Sequence, residues 1–252
     1  MEFSTEIVLF LFGVAIIAGW VDTIAGGGGL LTIPSLLLVG VPPAVALATN
    51  KLQASAGTLT AAVYFIKKGA VNLRAIRWLI VATFVGSVVG SWLVLQIDAG
   101  VLLAYLPILL ILVGLYFLFS PNIGDEDRKR KLTLTAFAIA ICPLLGLYDG
   151  FIGPGTGSFM ALSFVLLCGY NLSKATANAK ILNFTSNISS LLYFIVFGEV
   201  FWLIGLVMIL GQLIGATIGA KMVLEKGSKL IRPIVVIVCF VMSANILIRP
   251  LG

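Results

Sequence analysis

The stretch DTIAGGGGLLTIPSLLLVGV, Asp22–Val41, places an acid and four consecutive glycines inside a strongly apolar chain. Glycine is a poor helix former, and an aspartate at bilayer depth is costly. Its reading decides whether the chain is a plain bundle of spans or a bundle with broken backbone at its centre.

The surroundings settle the solvent first. Of 252 residues, 60% are hydrophobic and only 10% charged, and the mean hydropathy is +1.16. Soluble domains carry about a quarter charged residues, so lipid must face most of this surface. Apolar runs long enough to cross a bilayer, or nearly so, fall at Ile7–Ala25, Ile76–Leu95, Val101–Phe119, Leu134–Leu147, Leu203–Ala220 and Ile234–Ile248. The longest charged stretch is GDEDRKRKL, Gly124–Leu132, too short for an extramembrane domain. The fold class is an all-α integral membrane protein.

The first apolar run follows Glu2 and Glu6 rather than lysine or arginine, so it lacks the basic start of a cleaved signal and reads as a retained span. The net charge of +6 comes from short loops between spans, which is an orientation signal and not a nucleic-acid surface. Cys142, Cys168 and Cys239 stand singly in apolar segments, and the chain has no histidine. No disulfide frame, metal site or cofactor is suggested, and no nucleophile–base motif points to an enzyme.

An internal repeat organises the rest. Shifting the chain by 129 places lays Gly26–Ser91 over Gly155–Ala220 with sixteen identities in 66 positions. They include Gly40/Gly169, Lys51/Lys180, Gly69/Gly198, Gly86/Gly215 and Gly90/Gly219, and the tripeptide Tyr64–Ile66 recurs at Tyr193–Ile195. Upstream, Gly19 and Asp22 match Gly146 and Asp149 at a shift of 127, so the second glycine loop is two residues longer. The chain divides into a first transmembrane repeat, 1–120, a basic linker, 121–132, and a second repeat, 133–252.

Loop charge orients the two copies. Lys67, Lys68, Arg74 and Arg77 mark loop 67–77 as cytoplasmic, whereas its counterpart Gly198–Trp202 has Glu199 and no positive charge. Loops 120–131 and 221–232 are basic and read as cytoplasmic; Gln96–Gly100, with only Asp98, reads as external. Equivalent loops then face opposite sides, the inverted-topology repeat found in secondary transporters. Leu30–Val41 and its mate Phe159–Tyr170 are about 18 Å of helix each, too short to cross a core of about 30 Å. They read as half-helices that start at mid-depth.

Each half-helix follows a glycine loop, Gly26, Gly27, Gly28 and Gly29 in copy one, and Gly153–Phe159 (GPGTGSF) in copy two. Non-helical backbone inside a membrane is tolerated where protein buries it or water lines it, and a helix N-terminus attracts anions. Broken helices at matching places in two halves point to a transporter's binding site. The glycine pairs Gly86/Gly90 and Gly215/Gly219 read instead as helix packing. Lys51 and Lys180 lie opposite the half-helices in this reading and make a positive pocket; the alternative is that each snorkels or pairs with an aspartate. Asp22 and Asp149 carry a coupling proton or cap the broken helices. After Lys180, Asn183, Asn187 and Ser190 share one helical face; Asn50, Gln53, Gly57 and Thr60 form a similar stripe in copy one.

These stretches, Asp22–Thr58 and Tyr148–Asn187, closely resemble the two halves of the TauE/SafE family, also called the sulfite exporter or toluene sulfonate uptake permease family. The likeness runs over roughly residues 7–248, within a bacterial branch without an assigned substrate. It implies a multi-pass inner-membrane transporter of small anions, often sulfur-containing (sulfite, sulfonates, sulfoacetate), with inverted repeats and coupling to the proton gradient. It carries over Gly26–Gly29, Gly153–Gly157, Asn50–Lys51 and Asn178–Lys180. The copies differ at Asn50, whose mate is Ala179, so the site is not symmetric. The expected substrate-binding set is Gly26, Gly27, Gly28, Gly29, Asn50, Lys51, Gly153, Gly155, Thr156, Gly157, Ser158, Asn178, Lys180, Asn183 and Asn187, with Asp22 and Asp149 as proton candidates. The partners are a small anion, protons and the bilayer. An anion channel built on the same broken helices, without a coupled cycle, is the alternative.

Overall fold

In the computed structural model, residues 4–96, 111, 115 and 126–248 are described, and among them there is no strand. All but residues 111 and 115 of the expected span Val101–Phe119, the external loop after Gln96 and the first half of the linker lie outside the described residues. Among the described residues, five helical segments are long and apolar enough to cross a membrane: Thr5–Ala25, Leu73–Val94, Leu134–Phe151, Leu172–Phe197 and Trp202–Lys226.

Helix α1, Thr5–Ala25, ends on Gly26, whose left-handed backbone (φ 74°) lets its N–H close back on the Asp22 carbonyl. Only glycine takes that conformation without strain. The chain turns there and α2, Gly29–Leu38, starts on Gly28. Pro42 and Pro43 then open α3, Pro43–Lys67, where a missing N–H leaves no helical bond unmade. Helix α4, Leu73–Val94, is capped by the Asn72 side chain on the Ala75 N–H.

The second part repeats this order with one difference. The first span is two helices, α5, Leu134–Ala140, and α6, Cys142–Phe151, joined at Ile141. Pro143 sits in the first turn of α6, where it cannot donate back into α5, so the run read as one span at Leu134–Leu147 is longer and broken. Then come α7, Thr156–Cys168, α8, Leu172–Phe197, α9, Trp202–Lys226, and α10, Ser228–Ile248. The half-helices α2 and α7 have 10 and 13 residues, and each starts a residue or more earlier than the sequence reading. Gly29, Thr156, Gly157 and Ser158 therefore belong to first helical turns.

A polar cluster lies buried within an apolar core, and the outer surface is apolar as well. Buried Asn50, Lys51, Gln53, Ser55 and Thr58 come from α3, and Asn183, Ser186, Asn187 and Ser190 from α8. Outside, α4 presents Trp78, Val81, Val85 and Trp92, and α9 presents Leu203, Leu206, Leu210 and Ile214. These exposed stripes at helical spacing fit lipid as solvent.

Glycine sets which helices touch, since lipid gives apolar side chains no reason to associate and close backbone approach does. A Cβ on Gly86 would strike the Pro143 carbonyl, and one on Gly90 the Leu147 carbonyl, so α4 lies against α6. A Cβ on Gly211, Gly215 or Gly219 would strike the carbonyl of Phe12, Ile16 or Trp20, so α9 lies against α1. Both registers ascend together, and each pair runs in the same direction. Leu52 meets Gly205 and Gly57 meets Gln212, so α3 also runs with α9. Short turns reverse α3 into α4 and α8 into α9; α3 and α8 therefore run oppositely, as do α4 and α9.

At the linker's end, Arg128 N–H donates to the Gly169 carbonyl, and Lys131 and Leu132 N–H both reach the Leu167 carbonyl. Asp127 accepts from the Asn171 N–H at 2.7 Å and from Lys174 at 2.9 Å. Partial burial pushes its carboxyl up, but these donors outweigh that and hold it below the usual carboxylate range. The linker is thus fastened over the α7–α8 turn.

Candidate functional site

The tips of the two helical hairpins, α1–α2 and α6–α7, meet at the centre. A Cβ on Gly26 would collide with the backbone of Gly157 and Ser158, and the Ser158 hydroxyl donates to the Ala25 carbonyl. Two glycine loops in contact leave their half-helix heads facing the long polar helices α3 and α8.

Lys51 on α3 and Lys180 on α8 are 0% and 1% exposed, so neither snorkels. Each pairs with an aspartate from the other part of the chain. Lys51 Nζ stands 3.1 Å from Asp149 Oδ2 and donates to the Asp149 backbone carbonyl at 2.6 Å. That carbonyl lies in the last turn of α6, where carbonyls lack helical partners and a cation is favoured. Lys180 Nζ donates to Asp22 Oδ2 at 2.9 Å, with Asn183 Oδ1 at 3.4 Å. The other oxygen of Asp22 accepts the Gly28 N–H at 3.2 Å, at the head of α2.

The two pairs are not equally sealed. The Asp149 side chain is 2% exposed and the Asp22 side chain 14%. With all four groups ionised the charges cancel, so the lysines do not make a positive pocket while both aspartates hold them.

Around these pairs lies a cavity of about 20 Å³, room for one or two waters. Of the residues read from the sequence, it brings together Asp22, Gly26, Gly29, Asn50, Lys51, Asp149, Gly153, Gly155, Asn183 and Asn187. Lys180 joins through Asp22. Asn187, 4% exposed, lines the cavity and makes no hydrogen bond to any described residue. A buried carboxamide left this way calls for a ligand or water.

Other expected residues are turned elsewhere. The Thr156 hydroxyl donates to the Gly153 carbonyl at 2.6 Å, and Asn178 donates to the Lys174 carbonyl one turn back at 2.8 Å. Gly27, Gly28 and Gly157 shape the tips without lining the cavity; Gly157 leaves room for Lys180, whose Nζ would be 3.2 Å from an added Cβ. Asn50 Oδ1 accepts from Thr32 at 2.5 Å and from Gln53 at 2.7 Å, which ties α2 to α3. Thr32 and the cavity-lining Ala54 escaped the sequence reading. Ala54 is the repeat mate of Asn183, and that correspondence was the signal that could have found it.

Comparison with known proteins follows the same lines. The family described as "Sulfite exporter TauE/SafE" matches residues 11–246. A "Probable membrane transporter protein" of Haemophilus influenzae is 51% identical over 245 residues, covering 97% of this chain and 96% of that one. The "Probable membrane transporter protein YfcA" of Escherichia coli K12 is 55% identical over 237 residues, 94% of this chain and 88% of its own. A more distant relative, "Probable membrane transporter protein YunE" of Bacillus subtilis, is 23% identical over 266 residues.

Proposed function

The chain belongs to the sulfite exporter TauE/SafE family and is a multi-pass membrane transporter, and from that premise we propose that it carries small anions, sulfur oxyanions and sulfonates first among them, through the central cavity. One observation carries this reading: buried Lys51, buried Lys180 through its partner Asp22, and two half-helix heads meet at a small polar cavity in an apolar molecule. Cations and oriented N–H groups recognise oxyanions.

The proposal extends to the cycle. The two parts form an inverted repeat in the bacterial inner membrane, with the basic loops at 67–77 and 221–232 and the linker inside. Opposed directions of α3 against α8 support it, as does the exchange of partners, α1 with α9 and α6 with α4. The cavity admits an anion once the hairpin tips and their ion pairs shift, which favours a carrier over a channel. Protons drive the movement through the aspartates.

Proteoliposomes test this. Uptake of sulfite or a sulfonate should saturate, follow an imposed pH gradient and fall at least tenfold in Lys180→Ala (about 1.4 kcal/mol or more). Normal transport of every such anion by Lys180→Ala would sink the site as drawn. Flux that neither saturates nor follows the gradient would mark a channel.

A further inference from the structure

The Asp22 carboxylate already sits as an anion would in this site. One oxygen is on Lys180 and the other on the Gly28 N–H at the head of α2. We propose that Asp22 is a tethered occupant of the anion site, and that the substrate anion takes its place on Lys180 and the α2 head when Asp22 takes up a proton. The inference rests on the anion-transport reading and assigns the two aspartates different roles.

Three observations separate them. The Lys51–Asp149 pair is sealed, and Lys51 is also held by the Asp149 backbone carbonyl; protonating that carboxyl would leave the ammonium bonded in place. Among the described residues, Lys180 has only the Asp22 carboxylate and a long contact to Asn183, so protonating Asp22 frees it. Asp22 is also the more exposed of the two, the one a proton reaches from water. Asn187, unpartnered among the described residues and lining the same cavity, supplies a further donor to the incoming oxygens.

Among the described residues, the charged groups facing Asp22 are Lys180 of α8, Lys51 of α3 and Asp149 of α6. Helices α2 and α7 carry no charged side chain. On α9, Lys221, Glu225 and Lys226 are exposed, and α10 gives the shared core Ile231 and Val235 while Lys229 is exposed. The exchange balances: Lys180 keeps its charge, the carboxylate becomes a carboxylic acid, and one proton enters with one monoanion. Carriage of a monoanion is therefore electroneutral.

Calorimetry on the full chain in lipid nanodiscs tests this, using methanesulfonate, isethionate and p-toluenesulfonate, which stay ionised throughout. Wild-type affinity should fall as pH rises, at the steepest by about tenfold per pH unit, the slope of one linked proton. Paired buffers of different ionisation heat should report one proton taken up per anion bound. Asp22→Asn should bind with no slope and no proton uptake. Binding by wild type without proton uptake overturns the proposal and leaves anion transport standing, and so does an unchanged slope in Asp22→Asn. No binding of any probe by the wild type at any pH removes the anion reading, and this proposal with it. Should Asp22→Asn fail to fold, the wild-type proton count decides alone.

Discussion

At the residue scale, two ion pairs explain why an apolar chain keeps four charges at its centre. Lys51 and Asp149 are 0% and 1% exposed, and a buried charge without its partner is far more costly than the pair is stabilising. Lys51→Ala should therefore destabilise the protein by about 3–5 kcal/mol, whereas Lys51→Met with Asp149→Leu should recover most of that loss. Thermal unfolding in one detergent compares the three; a double variant as unstable as the single would show that the pair does more than neutralise itself. The four residues were legible as repeat mates, Lys51 with Lys180 and Asp22 with Asp149. Their crossed pairing was not, because Lys51 meets Asp149 98 positions away and no local spacing encodes that. Thr156, Ser158 and Asn178 were expected in the site because they flank a glycine loop or a lysine. Small hydroxyls and amides near helix ends bond readily to nearby carbonyls, as Thr156 and Asn178 do, and Ser158 instead ties the two hairpin tips through the Ala25 carbonyl.

Among the elements, glycine is both breaker and spacer, and the structure tells the two uses apart. Gly26 and Gly155 hold left-handed backbone where a hairpin tip must turn (φ 74° and 83°). Gly86, Gly90, Gly215 and Gly219 are ordinary helical residues whose missing side chains admit a neighbouring backbone, the packing role the sequence suggested. Gly86→Ala and Gly215→Ala, repeat mates that meet Pro143 and Ile16, should each cost about 1–3 kcal/mol through overpacking. Gly13 lies in α1 with nothing near an added Cβ, so Gly13→Ala should be neutral or stabilising by up to about 1 kcal/mol. Unfolding in increasing denaturing detergent ranks them, and a Gly13→Ala loss equal to the other two would refute the packing account. Full spans and half-helices were legible because apolar length and glycine clusters are local signals. The break at Ile141 and the early starts of α2 and α7 were not, since a first turn depends on what caps it: the Asp22 side chain reaches forward to Gly28 N–H from a residue six positions back.

The whole molecule turns on one relation, that matched elements run in opposite directions. Two independent lines bear on it. Loop charge is basic at 67–77 and free of positive charge at Gly198–Trp202, and glycine registers send α3 and α9 one way and α8 the other. Loop charge assigns a side of the membrane, and helix direction assigns a sense without a side. Together they specify an experiment. In a variant with Cys142, Cys168 and Cys239 replaced, single cysteines are placed at Lys68, in the turn after α3, and at Glu199, its counterpart after α8. Both positions are exposed, so access depends on side rather than burial. A membrane-impermeant maleimide on intact spheroplasts should label Glu199→Cys and spare Lys68→Cys, and lysis should expose both. Labelling of both in intact cells would mean a same-sense repeat. The crossed ion pairs would then join two halves facing one side, and a cycle that rocks one half against the other around a central anion would lose its geometric basis.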